Sequence, residues 1–511
     1  MIWLSLLVCL VLVFVIYDLT QTKHAILRNF PIIGHFRYWL EAVGPELRQY
    51  IVTSNDEERP FSRDQRSWVY ASSKQQNNYF GFGTDNNLEG SPGYLVIKQS
   101  SFPLEEPHKG APGYDKLHMV PCAKILGGAR KRRKAFRPKS IVNVGAMSYG
   151  SLSARAVEAI NRGVAIAGAM QNTGEGGVAS HHDHGGDLIW QLGTGYFGAR
   201  DEAGRFSMEK LEAVVAKYPN IKGIEVKLSQ GAKPGRGGVL PASKITDEIS
   251  EIRGIPKGVD CISPPFHREF SDVDGLLDFV ESIAEATGLP VGIKSAIGHE
   301  GFWDDLADEM AKGERGVDWI AIDGGEGGTG AAPLVFSDHV SLPFKVGFTR
   351  VYARFAKRGI ADDVVWMGSG RLGFPAEVML AMALGCDMIY VAREAMLSIG
   401  CIQAQKCQTG HCPTGVATQN KWLVRGLDPT DKGARLGNYL ITLRKEVMWL
   451  SRACAEPHPG LVQLEHFEML DDRYGGTCPR ELFNYEASWG VPGEEHAGPL
   501  LVELSSRASH E

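Results

Sequence analysis

What this sequence lacks excludes several classes of protein. Lysine and arginine number 54 against 60 aspartates and glutamates, a net charge of −6, so the basic excess of a nucleic-acid-binding protein is absent and no nucleic-acid partner is expected. Only nine of the 511 residues are cysteines, mostly scattered, which argues against a disulfide framework and for reduced thiols in a cytosolic compartment. Glycine, by contrast, is abundant: its 60 residues are concentrated in short loops, as suits a backbone that approaches ligands closely.

The amino terminus lacks both marks of a cleaved signal peptide. Residues 1–17 read MIWLSLLVCLVLVFVIY, with no basic residue before the apolar run and no small-residue cleavage site after it. The run approaches the ~20 residues that cross a bilayer core. We therefore expect residues 1–20 to form a single transmembrane anchor, with a signal peptide or a shallow interfacial segment as the alternatives. Lys23 and Arg28 follow the run, so the positive-inside rule predicts a single-pass inner-membrane protein with a cytoplasmic catalytic domain.

Residues 21–137 form an N-terminal extension without a clean helical or alternating pattern, and it is rich in proline, glycine and aromatic residues. A basic run, RKRRKAFRPK, lies at its end, at residues 130–139. Such a run near a membrane can contact anionic lipid, or it can be a solvated approach to the first strand. The sequence does not decide between these two interpretations.

Between residues 138 and 420, short apolar runs alternate with helical stretches. The eight runs that resemble strands are IVNVGAM, AMQNT, DLIWQL, GIEVKL, PVGIKSA, DWIAID, VVWMGSG and DMIYVA. Continuous apolar strands alternating with helices indicate a parallel sheet covered on both faces, and eight units predict an α/β fold, a (β/α)8 TIM barrel. A doubly wound sheet is the alternative, but the G-x-G-x-x-G turn expected after its first strand is absent. Residues 421–511 are expected to form a C-terminal helical extension and tail.

The chemistry of such a barrel lies at the carboxyl ends of its strands. Glycine-rich turns at the last strand ends are where barrels commonly bind a phosphate through backbone N–H groups. A phosphate site near Lys294, whose charge can stabilise an anionic reduced flavin, suggests flavin mononucleotide, FMN. The residues predicted to bind this cofactor are Ala146, Met147, Ser148, Lys294, Gly324, Gly325, Gly368, Gly370 and Arg371.

Two further strand ends hold candidate catalytic side chains. Gln230, Lys233 and Arg236 lie in KLSQGAKPGRGG, a cationic group suited to a dicarboxylate or oxo-acid, because arginine binds a carboxylate through two N–H groups; a solvated surface loop is the alternative. Glu175, in NTGEGG, is the candidate acid–base or orienting carboxylate, or else a helix cap. HHDHGGD, at residues 181–187, is interpreted as a polar loop over the barrel mouth rather than a metal site, since neighbouring loop residues rarely point at one ion.

Three cysteines, Cys401, Cys407 and Cys412, lie within a dozen residues in the segment 400–420, GCIQAQKCQTGHCPTGVATQN. Thiolates this close together on a loop suit an iron–sulfur cluster. Structural zinc sites usually use four ligands in paired C-x2-4-C form, whereas the spacings here are C-x5-C and C-x4-C. From these residues alone, a cluster and a zinc ion with inert thiols stand about level.

Several of these blocks resemble a known family. GAMSYGSLSARAVEAINRG, QNTGEGG, IEVKLSQGAKPGRGGVLP, ISPPFHREFSDVDGLLDFV, GGTGAAPL and the cysteine loop closely resemble the FMN-binding synthase domain of glutamate synthase, over roughly residues 140–420. The resemblance implies FMN on the barrel and a [3Fe-4S] cluster on the three cysteines. It also implies reduction of 2-iminoglutarate, formed from 2-oxoglutarate and ammonia, to L-glutamate. Glu175, Gln230 and Lys233 fall in blocks that form the flavin and oxo-acid pocket of that family.

The sequence also departs from that family. It starts with an apolar run where the large glutamate synthases have a glutaminase domain, and a D-G-G-E-G-G-T-G block at residues 323–330 replaces H-D-G-G-T-G. We therefore expect a stand-alone, membrane-attached form that uses free ammonia or an amidotransferase subunit, with ferredoxin or a reductase subunit as electron donor. The alternatives are an electron-transfer or synthase subunit of a membrane complex, and a related amino-acid dehydrogenase or N-alkylglutamate synthase.

Overall fold

The computed structural model describes residues 2–21, 24–111 and 113–506. The chain forms two compact units, Met1–Ser67 and Trp68–Glu511. The boundaries expected from the sequence at residues 20, 137 and 420 remain predictions. Lys23, on which the orientation prediction partly depends, lies outside the described residues.

The structure contains 17 α-helices and 13 strands within its described residues. The helices are α1 (Ile2–Thr20), α2 (Ala25–Asn29), α3 (Ile33–Leu47), α4 (Arg63–Ser73), α5 (Ala154–Ala167), α6 (Met208–Lys217), α7 (Asp247–Arg253), α8 (Val273–Thr287), α9 (Gly301–Ala311), α10 (Leu334–His339), α11 (Phe344–Lys357), α12 (Pro375–Ala383), α13 (Arg393–Ser398), α14 (Lys421–Val424), α15 (Pro429–Ala453), α16 (Pro479–Leu482) and α17 (Glu494–Ser506). The strands are β1 (Tyr94–Ile97), β2 (Val142–Val144), β3 (Met170–Asn172), β4 (Asp187–Leu192), β5 (Ile221–Lys227), β6 (Val239–Leu240), β7 (Cys261–Ile262), β8 (Val291–Ser295), β9 (Trp319–Asp323), β10 (Val365–Ser369), β11 (Met388–Val391), β12 (Phe467–Leu470) and β13 (Gly476–Thr477).

Eight strands close into a parallel barrel in the order β10-β11-β2-β3-β4-β5-β8-β9. Each of the eight apolar runs predicted as strands forms one of them, so the (β/α)8 prediction is confirmed. Strands β9 and β10 pair in register from Trp319↔Val365 to Asp323↔Ser369, which brings their carboxyl ends to one edge. That edge collects the loops where the chemistry of a TIM barrel lies.

The segment before the first barrel strand fills the barrel interior. Cys122 and Leu126 are fully buried in one cluster with Trp319, Met367 and other strand residues. Leu126 also pairs with Phe136 in an isolated antiparallel bridge, so the chain doubles back on itself there. Part of the region predicted as an extension is therefore integral to the barrel core.

Two arginines of the basic run at residues 130–139 contact the barrel, whereas the three lysines of the run are exposed. The guanidinium of Arg132 pairs with the carboxylates of Glu281 and Asp318, at 2.5 and 3.0 Å, and 10% of its side chain is exposed. Arg137 donates hydrogen bonds to the main-chain carbonyl of Cys122. Neither a lipid patch nor a solvated approach describes these two side chains, because a desolvated cation needs a partner and the barrel supplies it.

The long helix α15 lies against α5, the helix that follows the first barrel strand. The contact depends on glycines: an added Cβ at Gly163 would meet Leu436 at 2.7 Å, and one at Gly437 would meet Ile166 at 2.8 Å. Absence of side chains lets the two backbones approach closely. The first turn of α5 is capped by Ser153, whose side chain accepts a hydrogen bond from the N–H of Ala156.

The amino-terminal unit contains the apolar helix α1, which has a mean hydropathy of 2.6 over its most apolar window. Within the described residues it is the one helix long and apolar enough to cross a membrane, by length and composition. A signal sequence near an amino terminus has the same properties.

Candidate active site

A cavity of about 380 Å³ opens at the carboxyl end of the barrel. All eight strands contribute to its wall, directly or through the loop that follows each strand, as Ser148 after β2, Lys227 at the end of β5 and Arg371 after β10 illustrate. The volume lies in the range of small-molecule and cofactor sites. The position and size make this cavity the candidate active site.

The structure brings most of the residues singled out by sequence to this one cavity. Those that line it are Ala146, Met147, Ser148, Glu175, Gln230, Lys233, Lys294, Gly370, Arg371 and Cys407. Those outside the lining are Arg236, Gly324, Gly325, Gly368, Cys401 and Cys412. The Arg236 guanidinium lies over the ring of Phe336, with 5.6 Å between the charge and the ring centroid. The roles expected for all these residues remain predictions.

Glu175 is held by a buried lysine. Lys227 Nζ lies 3.0 Å from a carboxylate oxygen of Glu175 and donates a 2.7 Å hydrogen bond to Gln230 Oε1. Burial opposes ionisation of Glu175, but the charge of Lys227 outweighs it and lowers the pKa of the carboxyl below its ordinary value. Glu175 is therefore an ionised, oriented carboxylate rather than a proton reservoir near neutral pH.

Lys233 is a second buried lysine whose charge interacts with the carboxylate of Glu175. Burial lowers the pKa of its ammonium group, and the charge of Glu175 opposes that shift. Lys233 Nζ donates a long hydrogen bond of 3.4 Å to the main-chain carbonyl of Ala331. A lysine whose pKa is brought towards neutrality is suited to donate a proton.

A second ion pair lies in the cavity wall on the neighbouring strand, because Lys294 on β8 is the ladder partner of Lys227 on β5. Lys294 Nζ is 3.4 Å from Asp323 Oδ2, and the same oxygen accepts a 2.9 Å hydrogen bond from the N–H of Gly231. Burial opposes ionisation of Asp323, and Lys294 with these hydrogen bonds lowers its pKa below the ordinary value. The contact fixes Lys294 against the loop that follows β9.

The charges around the cavity favour an anionic ligand. Six cationic and three acidic side chains line it: Lys227, Lys233, Lys244, Lys294, Arg371 and Arg393 against Glu175, Asp323 and Glu394. Since low-dielectric walls strengthen such a field, the excess of positive charge attracts a phosphate or a dicarboxylate.

Glycines let the strand-end loops approach one another. A Cβ at Gly174, where φ is +67°, would lie 2.5 Å from the main-chain nitrogen of Ser148. After β10, Gly370 and Arg371 both have positive φ, at 133° and 60°. A non-glycine residue in the left-handed region costs energy and is over-represented at ligand sites. The backbone here is shaped for close approach.

A buried carboxylate organises the floor of the cavity. Glu225, on β5, is fully buried, and its Oε1 accepts hydrogen bonds from Asn172 Nδ2 at 2.8 Å and Gln191 Nε2 at 2.7 Å. Its Oε2 accepts from Trp319 Nε1 and Tyr390 OH, both at 3.2 Å. These four donors come from β3, β4, β9 and β11, so one side chain links five strands. Gln191 and Tyr390 also line the cavity.

The cysteine loop lies at the rim of this site, after the short helix α13 that follows β11. All three cysteines are free thiols. Burial, with a smaller contribution from the nearby Cys407 and Cys412, raises the pKa of Cys401 to about 12. Cys407 reaches the cavity, where a Cβ on Gly330 would be 3.2 Å from its own Cβ. The three sulfurs are thus close enough to feel one another's charge.

Cys412 differs from its neighbours. Burial opposes thiolate formation there, but main-chain hydrogen bonds from Ala417, Thr414 and Val416 lower the pKa of the thiol below its ordinary value. Lys244 lies between the loop and the cavity, where its Nζ donates to the carbonyl oxygens of Cys407 at 2.8 Å and Ala417 at 3.2 Å. Main-chain donors to the Cys412 sulfur and a cation held at the main chain of the same loop favour an anionic sulfur site.

No three His, Cys, Asp or Glu side chains in the parts of the chain that the structure describes converge as ligands of a single metal ion. Two histidines of the segment at residues 181–187 have separate partners and do not converge. His182 is buried with its Nδ1 accepting a hydrogen bond from the N–H of Ala179, while His181 Nε2 lies 2.9 Å from a carboxylate oxygen of Glu248. A cluster differs from one ion, because each cysteine binds a different iron and the sulfurs need not meet at a point.

Sequence reasoning missed three cationic residues of the cavity. Lys227 is the β-ladder partner of Lys294, so the register of β5 and β8 places both lysines side by side. Lys244 and Arg393 also line the cavity, and Arg393 donates to the main-chain carbonyl of Glu326. A lysine that ends an apolar strand was the available signal for Lys227, and the position directly after the last barrel strand was the signal for Arg393; no local signal marks Lys244.

The fold and the site define a TIM-barrel protein with a cationic cavity at the carboxyl ends of its strands, and comparison with known proteins gives its family. A family model described as the conserved region in glutamate synthase matches residues 105–455. The glutamate synthase large subunit-like protein YerD of Bacillus subtilis (strain 168) is 36% identical over 480 residues, 88% of this chain and 91% of YerD. The archaeal glutamate synthase (NADPH) of Methanocaldococcus jannaschii is 36% identical over 337 residues, 65% of this chain and 61% of that protein.

The chain belongs to the glutamate synthase family, and it is an oxidoreductase of that type. It spans nearly all of the Bacillus relative but about three-fifths of the archaeal one. Among solved structures, a flavocytochrome b2 double mutant with sulfite bound matches with a TM-score of 0.42 at 10% identity, covering 86% of each chain. The barrel assignment itself rests on the strand pairing.

Proposed function

We propose that this chain is an FMN and iron–sulfur oxidoreductase that reduces 2-iminoglutarate, formed from 2-oxoglutarate and ammonia, to L-glutamate. The observation that best supports the proposal is the cationic cavity at the carboxyl end of the barrel, with Cys407 of the cysteine loop in its wall. Membership of the glutamate synthase family supports the same reaction class.

FMN fits the cavity by charge and by backbone shape. Gly174 lets the loop after β3 approach the main chain of Ser148, and the positive φ angles at 370 and 371 shape the loop after β10. Arg371 would hold the phosphate, Ala146 to Ser148 would border the ring system, and Lys294 would place positive charge beside it. When bound, FMN supplies the hydride that the imine carbon accepts.

The substrate would lie over the Glu175 side of the cavity. Lys227 holds Glu175 and Gln230 in fixed positions, so these two side chains would orient the substrate without rearrangement. Lys233, with its lowered pKa, would donate a proton to the imine nitrogen and would bind a substrate carboxylate in the resting complex. Arg236 would have to approach from outside the present lining to contact a second carboxylate.

Cys401, Cys407 and Cys412 would hold a [3Fe-4S] cluster, which supplies electrons one at a time. The donor set fits such a cluster, since three free thiols, main-chain donors to Cys412 and the cation Lys244 all favour bound anionic sulfur. The cluster would receive electrons from ferredoxin or a reductase subunit. Ammonia would be free or delivered by an amidotransferase subunit.

We place the chain in the inner membrane with a single span, α1, and the barrel in the cytoplasm. The support for this location is the length and hydropathy of α1 and the basic residue Arg28 that follows it.

The reaction is tested with the detergent-solubilised full chain loaded with FMN, iron and sulfide and reduced by dithionite. Glutamate formed from 2-oxoglutarate and ammonium is measured by mass spectrometry. The variant Lys233→Met should lose more than ~100-fold of the rate, as expected for a proton donor. Lys312→Met, an exposed residue at the carboxyl end of α9 and outside the cavity wall, is the matched control and should retain full activity.

A fully loaded protein that makes no glutamate would refute the proposed reaction. Replacing ammonium by methylamine in the same assay tests the N-alkylglutamate alternative. Electron transfer to an added acceptor without any amino-acid product would favour the subunit-of-a-complex alternative instead.

The cluster is tested separately by electron paramagnetic resonance. Cys407→Ser should abolish the iron signal while flavin absorbance remains, and Cys478→Ser, a free thiol outside the loop, should leave both unchanged. Loss of flavin together with iron in the first variant would show that the loop supports the barrel rather than a cluster.

A further inference from the structure

Helix α3 presents an apolar stripe with no partner among the described residues. Its large apolar side chains recur at helical spacing on one side: Ile33, Phe36, Trp39, Leu40 and Leu47. These five side chains are between 40% and 76% exposed. Phe36 and Trp39 stack on each other, with 5.7 Å between ring centroids. A contiguous exposed patch of this kind marks an interaction surface.

The opposite side of α3 is polar or engaged with the unit it belongs to. Arg37 pairs with Glu41 at 3.2 Å, one helical turn away. Gly34 is buried, and an added Cβ there would touch Leu27 of α2 at 3.0 Å. Helix α3 is therefore amphipathic, and its apolar face, which would be buried in a soluble protein, is exposed.

A buried carboxylate fixes α3 to the end of α1. Asp18 lies in the last turn of α1 and is fully buried. Its Oδ2 accepts a 2.9 Å hydrogen bond from the N–H of Ile32, and its Oδ1 lies 2.9 Å from Nε2 of His35, in the first turn of α3. These contacts make α1 an integral part of the folded unit.

The position of Asp18 along α1 indicates that the apolar stripe of α3 contacts the membrane surface. The 19 residues of α1 at ~1.5 Å per residue give about 28 Å, close to the ~30 Å hydrocarbon core of a bilayer. Asp18 would then lie where the helix leaves the hydrocarbon, and the start of α3 would lie at the same level. Tryptophan and phenylalanine on an amphipathic helix at that level suit the interface between headgroups and acyl chains.

We infer that α3 is an interfacial helix, which lies in the plane of the membrane surface with its apolar stripe inserted among the lipid acyl chains. The inference rests on the membrane location proposed above and goes beyond it, because α1 alone would allow α3 to be in water. The bilayer then contacts two helices joined at Asp18, a spanning one and a surface one.

Site-specific photocrosslinking of the full chain tests this arrangement. Four single variants each carry one benzoylphenylalanine. Two replace stripe residues, Phe36 and Leu40; one replaces Glu41 on the polar face as the matched control; and one replaces Leu10 in the middle of α1. All four positions are exposed, and the labels at 36 and 41 replace only surface contacts, with Trp39 and Arg37. The proteins are reconstituted in vesicles of phosphatidylethanolamine and phosphatidylglycerol, illuminated and analysed by mass spectrometry.

We expect lipid adducts from positions 10, 36 and 40 and their loss at position 41. Adducts at position 10 together with protein crosslinks at 36 and 40, to the barrel unit or to a second copy, would overturn the inference and leave the anchor intact. Equal lipid labelling at 36, 40 and 41 would also overturn it, since the stripe would then have no orientation. No adduct at position 10 would refute the membrane location and the inference together.

Discussion

The carboxylate of Glu225 offers the sharpest test of how the cavity floor is built. Four donors on four other strands point at its two oxygens, and all five side chains are at most 2% exposed. Each buried donor left without an acceptor costs about 1–3 kcal/mol. Glu225→Ala removes all four acceptor contacts, so even the lower bound gives a loss of about 4 kcal/mol.

Glu225→Gln separates hydrogen bonding from volume. The amide keeps one oxygen acceptor and turns an NH2 group towards the remaining two donors, so about half of the loss, about 2 kcal/mol, is expected. For a unit of roughly 440 residues the unfolding entropy is about 0.9 kcal/mol/K, which converts these losses into falls in Tm of about 4 °C and about 2 °C. Glu251→Gln, an exposed change on α7, should shift Tm by less than about 0.5 °C.

The assay is thermal unfolding of the detergent-solubilised full chain, followed by tryptophan fluorescence, with flavin retention measured on the same samples. Because Gln191 and Tyr390 are both donors to Glu225 and part of the cavity wall, retention of FMN should fall in the same order as Tm. An alanine variant that unfolds within about 1 °C of the parent, or that is no less stable than the glutamine variant, would refute the account of four dependent donors.

Three further changes test other parts of the barrel. Lys124 Nζ lies 3.2 Å from the carboxylate of Asp387, and both side chains are buried. Lys124→Met leaves the Asp387 carboxylate without its cation, so Tm should fall by about 3–5 °C, the equivalent of about 3–5 kcal/mol, in the same unfolding assay. Gly174→Ala places a Cβ 2.5 Å from the neighbouring main chain and should abolish FMN retention, whereas Gly298→Ala, which meets nothing within 4 Å, should not. Asp323 has a lowered pKa in the folded state, so its contribution is present above its ordinary pKa of ~3.9 and is lost as pH falls through the folded value. Lys294→Met removes the charge that lowers this pKa, so the variant should be less stable than the parent at neutral pH but should lose less stability as the pH falls; an unchanged pH dependence of unfolding would contradict the assigned pair.

The barrel was predictable because parallel strands buried on both faces leave continuous apolar runs in the sequence. The filling of its interior was not. Cys122 and Leu126 lie in a segment without periodicity, and their burial depends on strands far along the chain. The role of Arg132 was not predictable either, because its two partners are about 150 and 190 residues away in the sequence.

The site was predictable where chemistry and strand ends coincide. Glu175, Lys233 and Lys294 each follow or end a strand, and all three line the cavity. Arg236 was expected there on the same grounds, but two residues of loop beyond Pro234 carry it outside the lining, over Phe336. Loop conformation depends on contacts that a strand pattern does not encode, which is why the positions nearest the strands were predicted best.

The glycine contact between α5 and α15 limits which segment of this chain can be exchanged between proteins by gene recombination. The family match ends at residue 455, two residues after α15 ends at Ala453. A recombination event that cut the chain at residue 420 would strip the face of α5 that Gly163 and Ile166 form and expose it to water. The transferable module of this architecture is therefore the barrel with its last long helix, and shuffling among larger polypeptides has to preserve both together.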